Sequence, residues 1–114
     1  MTHNWIYRTV ELEKKMTGPL EGVRVMDVGT AGVGPWAATL LGLLGAEVVK
    51  IESPAGDRHL YQPPLQQGLS TTYTSLNLNK RAAMADLKDK ETWPAVERMI
   101  QQADVIMDNL RPGV

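Results

Sequence analysis

The chain has 114 residues, 43% of them hydrophobic and 22% charged, with a formal net charge of −1. That size holds one core but no second full domain, and the charge balance supplies no counterion-release term for a nucleic-acid backbone. With no cysteine, a disulfide framework, a thiolate zinc site and a cysteine nucleophile are all excluded. No stretch reaches the roughly 18 uninterrupted apolar residues of a membrane span. Residues 1–15 carry charges of both signs and lack the apolar run of a secretory signal, so a cytoplasmic location is expected.

In chain order, residues 1–18 show no clean period and read as an irregular leader, punctuated by Thr17-Gly18-Pro19. Gly22 opens a valine-rich run, Val23 to Val28, which reads as a strand of a mostly buried sheet. Gly29 to Pro35 is a turn dense in glycine, and Pro35 suits the first turn of a helix, where a missing N–H is harmless. Trp36, Ala37, Leu40, Leu41 and Leu44 recur at helical spacing, with Gly45 placed as a C-terminal stop. Glu47 to Ile51 follows as a second strand, completing a βαβ unit.

From Ser53 to Gly68 prolines and glycines break any pattern, and so long a loop is usually functional or disordered. Ser70 to Leu78 is ambiguous, with Thr71 to Thr74 leaning towards strand, and Ala82 to Leu87 reads as a third strand. Thr92 is placed to cap a helix with Val96, Met99, Ile100 and Ala103 on one face. Asp104 to Met107 is the fourth strand, and Asn109 to Gly113 the turn that leaves it. The expected fold is α/β, a mainly parallel sheet with flanking helices. A chain stopping just after a strand leaves an open sheet edge, so the sequence reads as truncated, and marginal stability with self-association is expected.

Several residues are candidates for chemistry. Gly29, Gly32 and Gly34 give G-x-x-G-x-G, the reverse of the dinucleotide spacing, with Glu52 near the place of a ribose-binding acid. The alternative is a tight turn with no ligand. No phosphate-binding G-x-x-x-x-G-K-[ST] occurs. Lys80, Arg81 and Lys88 could hold phosphates, or could be solvated strand ends. Asp27 could act as a base, but such an aspartate more often binds the backbone of the turn it begins. His3 and His59 lack metal-ligand spacing and read as surface residues; Trp36 and Met99 sit at core spacing; Tyr61 and Tyr73 belong to no pattern.

Taken together, eight ordered blocks from Pro19 onward resemble the N-terminal part of the class III CoA-transferases, the CaiB/BaiF family. They are Pro19 to Val25 with Asp27, Gly34-Pro35, Leu44 to Glu52, Pro54 with Gly56-Asp57, Asn79-Lys80-Arg81, Asp86-Leu87-Lys88, Ala103-Asp104-Val105 and Asn109 to Val114. The resemblance implies that residues 19–114 are the N-terminal part of a Rossmann-like domain that binds coenzyme A, with a second domain absent. It implies that Thr30, Ala31, Gly32 and Val33, with Leu87, Lys88, Asn109 and Leu110, line the CoA site. It further implies acyl-CoA and a small carboxylic acid as substrates, no metal, and a homodimer for the full-length protein. Transferases of this family use a nucleophilic aspartate, which forms an anhydride and then an enzyme-bound thioester; the racemases use acid/base residues. No aspartate of this chain matches the nucleophile's position, so no catalytic residue is expected here and the chain alone is expected to be inactive. The turn at Thr30 to Val33 departs from several members, and Leu110 stands where Phe is frequent. Two other readings stay open: a stand-alone CoA or nucleotide-binding module, and a fragment of an NAD-dependent oxidoreductase.

Overall fold

The computed structural model describes residues 18–113; the leader and His3 therefore lie outside the described residues, save Gly18. Among the described residues nine elements follow one another: β1 (Arg24–Asp27), α1 (Val33–Leu43), β2 (Glu47–Glu52), β3 (Leu65–Gln66), β4 (Leu69–Ser70), α2 (Thr71–Leu76), β5 (Arg81–Met84), α3 (Trp93–Gln102) and β6 (Val105–Met107). Four strands form one parallel sheet in the order β5-β2-β1-β6. Counting only these four, the order is 3-2-1-4, the start of a doubly wound sheet, and the order reverses between β1 and β6.

Burial explains the valine run. β1 is central, pairing Val25 with Val48 on one side and Val105 on the other. Its successive side chains feed opposite faces. Val25 joins Ala38, Ala46 and Val48 beneath α1, whereas Met26 joins Ile51 and Val96 beneath α3. A strand covered on both faces needs apolar residues in sequence rather than in alternation.

The predicted βαβ unit is present, with one revision to its helix. α1 buries Gly34, Pro35, Ala38, Thr39 and Gly42, while Trp36 is 45% exposed and Leu40, Leu43 and Leu44 are exposed with it. The small residues let the helix lie close to the sheet; Leu41 packs against the core, but the other larger apolar residues turn outward, so Trp36 is not core. Met99 does pack against the Met26 cluster. α1 stops as expected: Gly45 takes φ +105°, and its N–H donates to Gly42 O at 3.0 Å.

Two segments differ from expectation. Thr71 to Leu76 is helix, because the Ser70 hydroxyl accepts the Tyr73 N–H and opens a turn that strand propensity alone would not favour. The proline-rich loop holds the β3–β4 hairpin, whose turn residues Gln67 and Gly68 both take positive φ. The third strand ends at Met84 rather than Leu87. Thr92 precedes α3 but makes no cap bond; its hydroxyl donates to Asp86 O and Asp89 O instead. No helix among the described residues is long and apolar enough to cross a membrane.

Candidate functional site

In an open α/β sheet, the crevice outside the carboxyl ends of the strands at the order reversal is the place for a ligand. The turn after β1 is held there through its backbone. Gly29 N–H donates to Asp27 Oδ1 at 2.9 Å, and Gly29 O accepts from Lys50 Nζ at 3.0 Å. Thr30 N–H donates to Asn109 Oδ1, and Asn109 Nδ2 donates back to Thr30 O, both at 2.9 Å. Asn109 thus ties the turn after β6 to the turn after β1 across the reversal. Glycine at 34 makes room for it, since a Cβ there would lie 2.9 Å from Asn109 Cγ. Gly32 has no such neighbour; it is the N-cap of α1, which carries no side-chain cap and no acid in its first turn. Such an end presents N–H donors suited to an anion.

Behind the turn lie two buried lysines. Lys50 is 3.2 Å from Asp57 Oδ2, each side chain 2% exposed; its hydrogen bond goes to Gly29 O, and no donor among the described residues is aimed at Asp57 Oδ2. Lys80 Nζ reaches Asp27 Oδ2 and Pro35 O, both at 2.7 Å, and Asn77 Oδ1 at 2.9 Å. Burial lowers the Lys80 pKa; Asp27 opposes that shift through its hydrogen bond and charge, and Lys50 adds to it. Neither earlier reading of Lys80 holds in full: it is a buried tie rather than a solvated strand end or an open phosphate contact. Arg81 pairs with Glu47 at the opposite end of the sheet, away from the crevice.

A cavity of about 240 Å³ opens at the carboxyl ends of β1, β2 and β5. Its walls include Val28, Thr30, Ile51, Glu52, Leu87, Lys88 and Leu110. Of the eight residues expected at a ligand site, Thr30, Leu87, Lys88 and Leu110 meet in this cavity. Ala31, Gly32 and Val33 lie beyond it on the turn and the start of α1, and Asn109 is turned to Thr30. Glu52 accepts a hydrogen bond from the Tyr73 hydroxyl. Burial first, then Glu52 and the charge of Asp57, push the Tyr73 pKa well above its ordinary value. No cluster of three metal-ligating side chains occurs among the described residues.

The pairings of Lys50 with Asp57 and of Tyr73 with Glu52, and the linking role of Lys80, were not legible in the sequence. For Lys50 a signal existed: the two-residue period of β2 puts it on the face of Val48, which is buried.

A four-stranded parallel start of a doubly wound sheet, with a cavity at the carboxyl ends of its strands, defines an open α/β fold. The profile of "CoA-transferase family III" matches residues 20–114, and the chain belongs to that family. Succinate–glutarate CoA-transferase of Agrobacterium fabrum is 35% identical over 101 residues, covering 82% of this chain and 25% of that protein. Human succinyl-CoA:glutarate CoA-transferase is 37% identical over 97 residues, covering 83% and 22%. Among solved structures, a CaiB/BaiF family protein from Brucella suis superposes with a TM-score of 0.79 at 32% identity, over 86% of this chain and 27% of that one. The chain spans about a quarter of the length of the curated relatives it matches.

Proposed function

We propose that this chain is the N-terminal, Rossmann-like, CoA-binding portion of an acyl-CoA:carboxylate CoA-transferase or acyl-CoA racemase. Residues 19–114 form that portion. The carrying observation is the cavity in which Thr30, Leu87, Lys88 and Leu110 meet at the carboxyl ends of the strands. At about 240 Å³ it is smaller than the roughly 300–1,000 Å³ that encloses a drug-sized ligand, and suits one end of a CoA-sized molecule. Val28, Ile51, Leu87 and Leu110 offer apolar surface to a ring; Lys88, exposed at the rim, offers a cation to a phosphate. The donors at the start of α1 suit a second anionic group.

The nucleophile belongs to a part of the protein outside these 114 residues. Each of the six aspartates accepts a backbone N–H: Asp27 from Gly29, Asp57 from His59, Asp86 from Lys88, Asp89 from Glu91, Asp104 from Arg24 and Asp108 from Leu110. Carboxylates so engaged serve as turn and strand anchors, which supports binding without covalent chemistry in this segment. The full-length protein acts on acyl-CoA and a small carboxylic acid, as a cytoplasmic homodimer.

The test is calorimetric titration of the chain with CoA and, separately, with NAD, alongside an assay of thioester exchange. CoA binding that exceeds NAD binding, with no exchange, supports the reading. Preference for NAD, the ligand suggested by Gly29, Gly32 and Gly34 with Glu52, would replace it with the oxidoreductase reading; exchange by the chain alone would overturn its inactivity.

A further inference from the structure

Lys80 sits where four elements meet. It precedes β5, and its ammonium reaches the end of β1 through Asp27 Oδ2, the first turn of α1 through Pro35 O, and the end of α2 through Asn77 Oδ1. Its side chain is 2% exposed, and that of Asp27 is fully buried. Asp27 in turn uses its other oxygen to hold Gly29 N–H. One buried cation therefore fixes both ends of the turn from Gly29 to Pro35, while touching no wall of the cavity.

A buried ion pair is a weak source of stability, because removing two charges from water offsets most of their attraction. A pair retained at such a position is better explained by what it orients. We propose that Lys80 is a positioning residue for the ligand crevice: its ammonium, through Asp27 and Pro35 O, sets the turn after β1 and the start of α1 in the geometry that receives the ligand. The inference rests on the CoA-binding reading for its ligand, but not for its geometry.

The decisive variant is D27N/K80M in the 114-residue chain, with K80M beside it. Taking away both charges leaves no unpaired buried anion at position 27, so the double variant should keep its fold even where K80M does not. Asparagine at 27 still offers an oxygen to Gly29 N–H, whereas Pro35 O and Asn77 lose the ammonium. Two readouts apply: site-resolved amide hydrogen exchange of the free protein, and the Kd for CoA itself by calorimetry. K90M, at an exposed position, controls for lost charge.

In D27N/K80M, amides between Gly29 and Trp36 should exchange about tenfold faster or more, with those of β1 and β2 unchanged, and the Kd for CoA should rise about tenfold. K90M should alter neither. A double variant that binds CoA as tightly as the parent, with unchanged exchange between Gly29 and Trp36, would mean that the ammonium only neutralises Asp27, and overturns the proposal. Uniformly faster exchange throughout the sheet would also overturn it, as loss of global stability. If the parent chain binds no CoA, the functional reading fails by itself, and the exchange pattern alone then decides the role of Lys80.

Discussion

Removing either partner of the Lys50–Asp57 pair should be far worse than removing both. Each side chain is 2% exposed, with 3.2 Å between Nζ and Oδ2, so a lone survivor would be a charge without water or counter-charge. Breaking such a pair typically removes about 3–5 kcal/mol. K50M also strips Gly29 O of its donor, worth about 1 kcal/mol more. Against a total of about 5–15 kcal/mol for a domain, K50M should lose a third or more of the stability. D57N leaves Lys50 bonded to Gly29 O and should fall at the lower end. The double variant K50M/D57N should recover to within about 2 kcal/mol of the parent, because no uncompensated charge remains. Urea unfolding followed by circular dichroism gives the three differences. Single variants within about 1 kcal/mol of the parent, or a double variant equal to the two losses combined, would show that the pair is not an enclosed unit and refute the argument.

Four further outcomes are expected. Ala31 holds φ +67°, a left-handed conformation that disfavours a Cβ, so A31G should raise stability by about 0.5–1 kcal/mol in the same urea assay. Tyr73, with a raised pKa, keeps its proton in the folded state above its ordinary value of 10.0 while the unfolded chain loses it, so stability should fall as pH rises past 10.0, and Y73F should lack this fall. Lys80 acts oppositely: between its lowered pKa and its ordinary 10.5 the unfolded chain holds the extra proton, so stability rises with pH across that window, and D27N/K80M should lack that rise. Ile106 is 49% exposed on β6, which among the described residues pairs with β1 alone; I106K should reduce concentration-dependent association in sedimentation, as charge protects an open edge.

What could be read from the residues was set by local chemistry. The βαβ unit was legible because Val23 to Val28, Gly29 to Pro35 and Gly45 carry their signals within a few residues. Asp27 was legible too, since an Asx turn spans only two positions and Gly29 N–H lies there. Lys80 was not: its partners at Asp27 and Pro35 are 53 and 45 positions away, and a lysine read by composition is a solvated one. Thr71 to Leu76 misled because β-branched residues imply strand, whereas the deciding group was the Ser70 hydroxyl. Of the four cavity residues, Thr30, Leu87 and Leu110 came from the family resemblance, while Lys88 was also a candidate by its charge. The buried carboxylate of Asp57 lay unnoticed in a loop whose prolines and glycines suggested irregularity alone.

The strand order has a kinetic consequence. β1 meets β2 across a short helix, but its bond to the chain near β6 joins Arg24 and Asp104, 80 positions apart. Pairing at such separation closes a long loop, which is slow, so β6 should dock after the βαβ unit has formed. Asn109 and Leu110 follow β6, and with them come the lock on Thr30 and the last wall of the cavity. A molecule that needs that wall has nothing to grip until folding is nearly over. It would leave the refolding rate almost untouched and act by delaying escape from the native state.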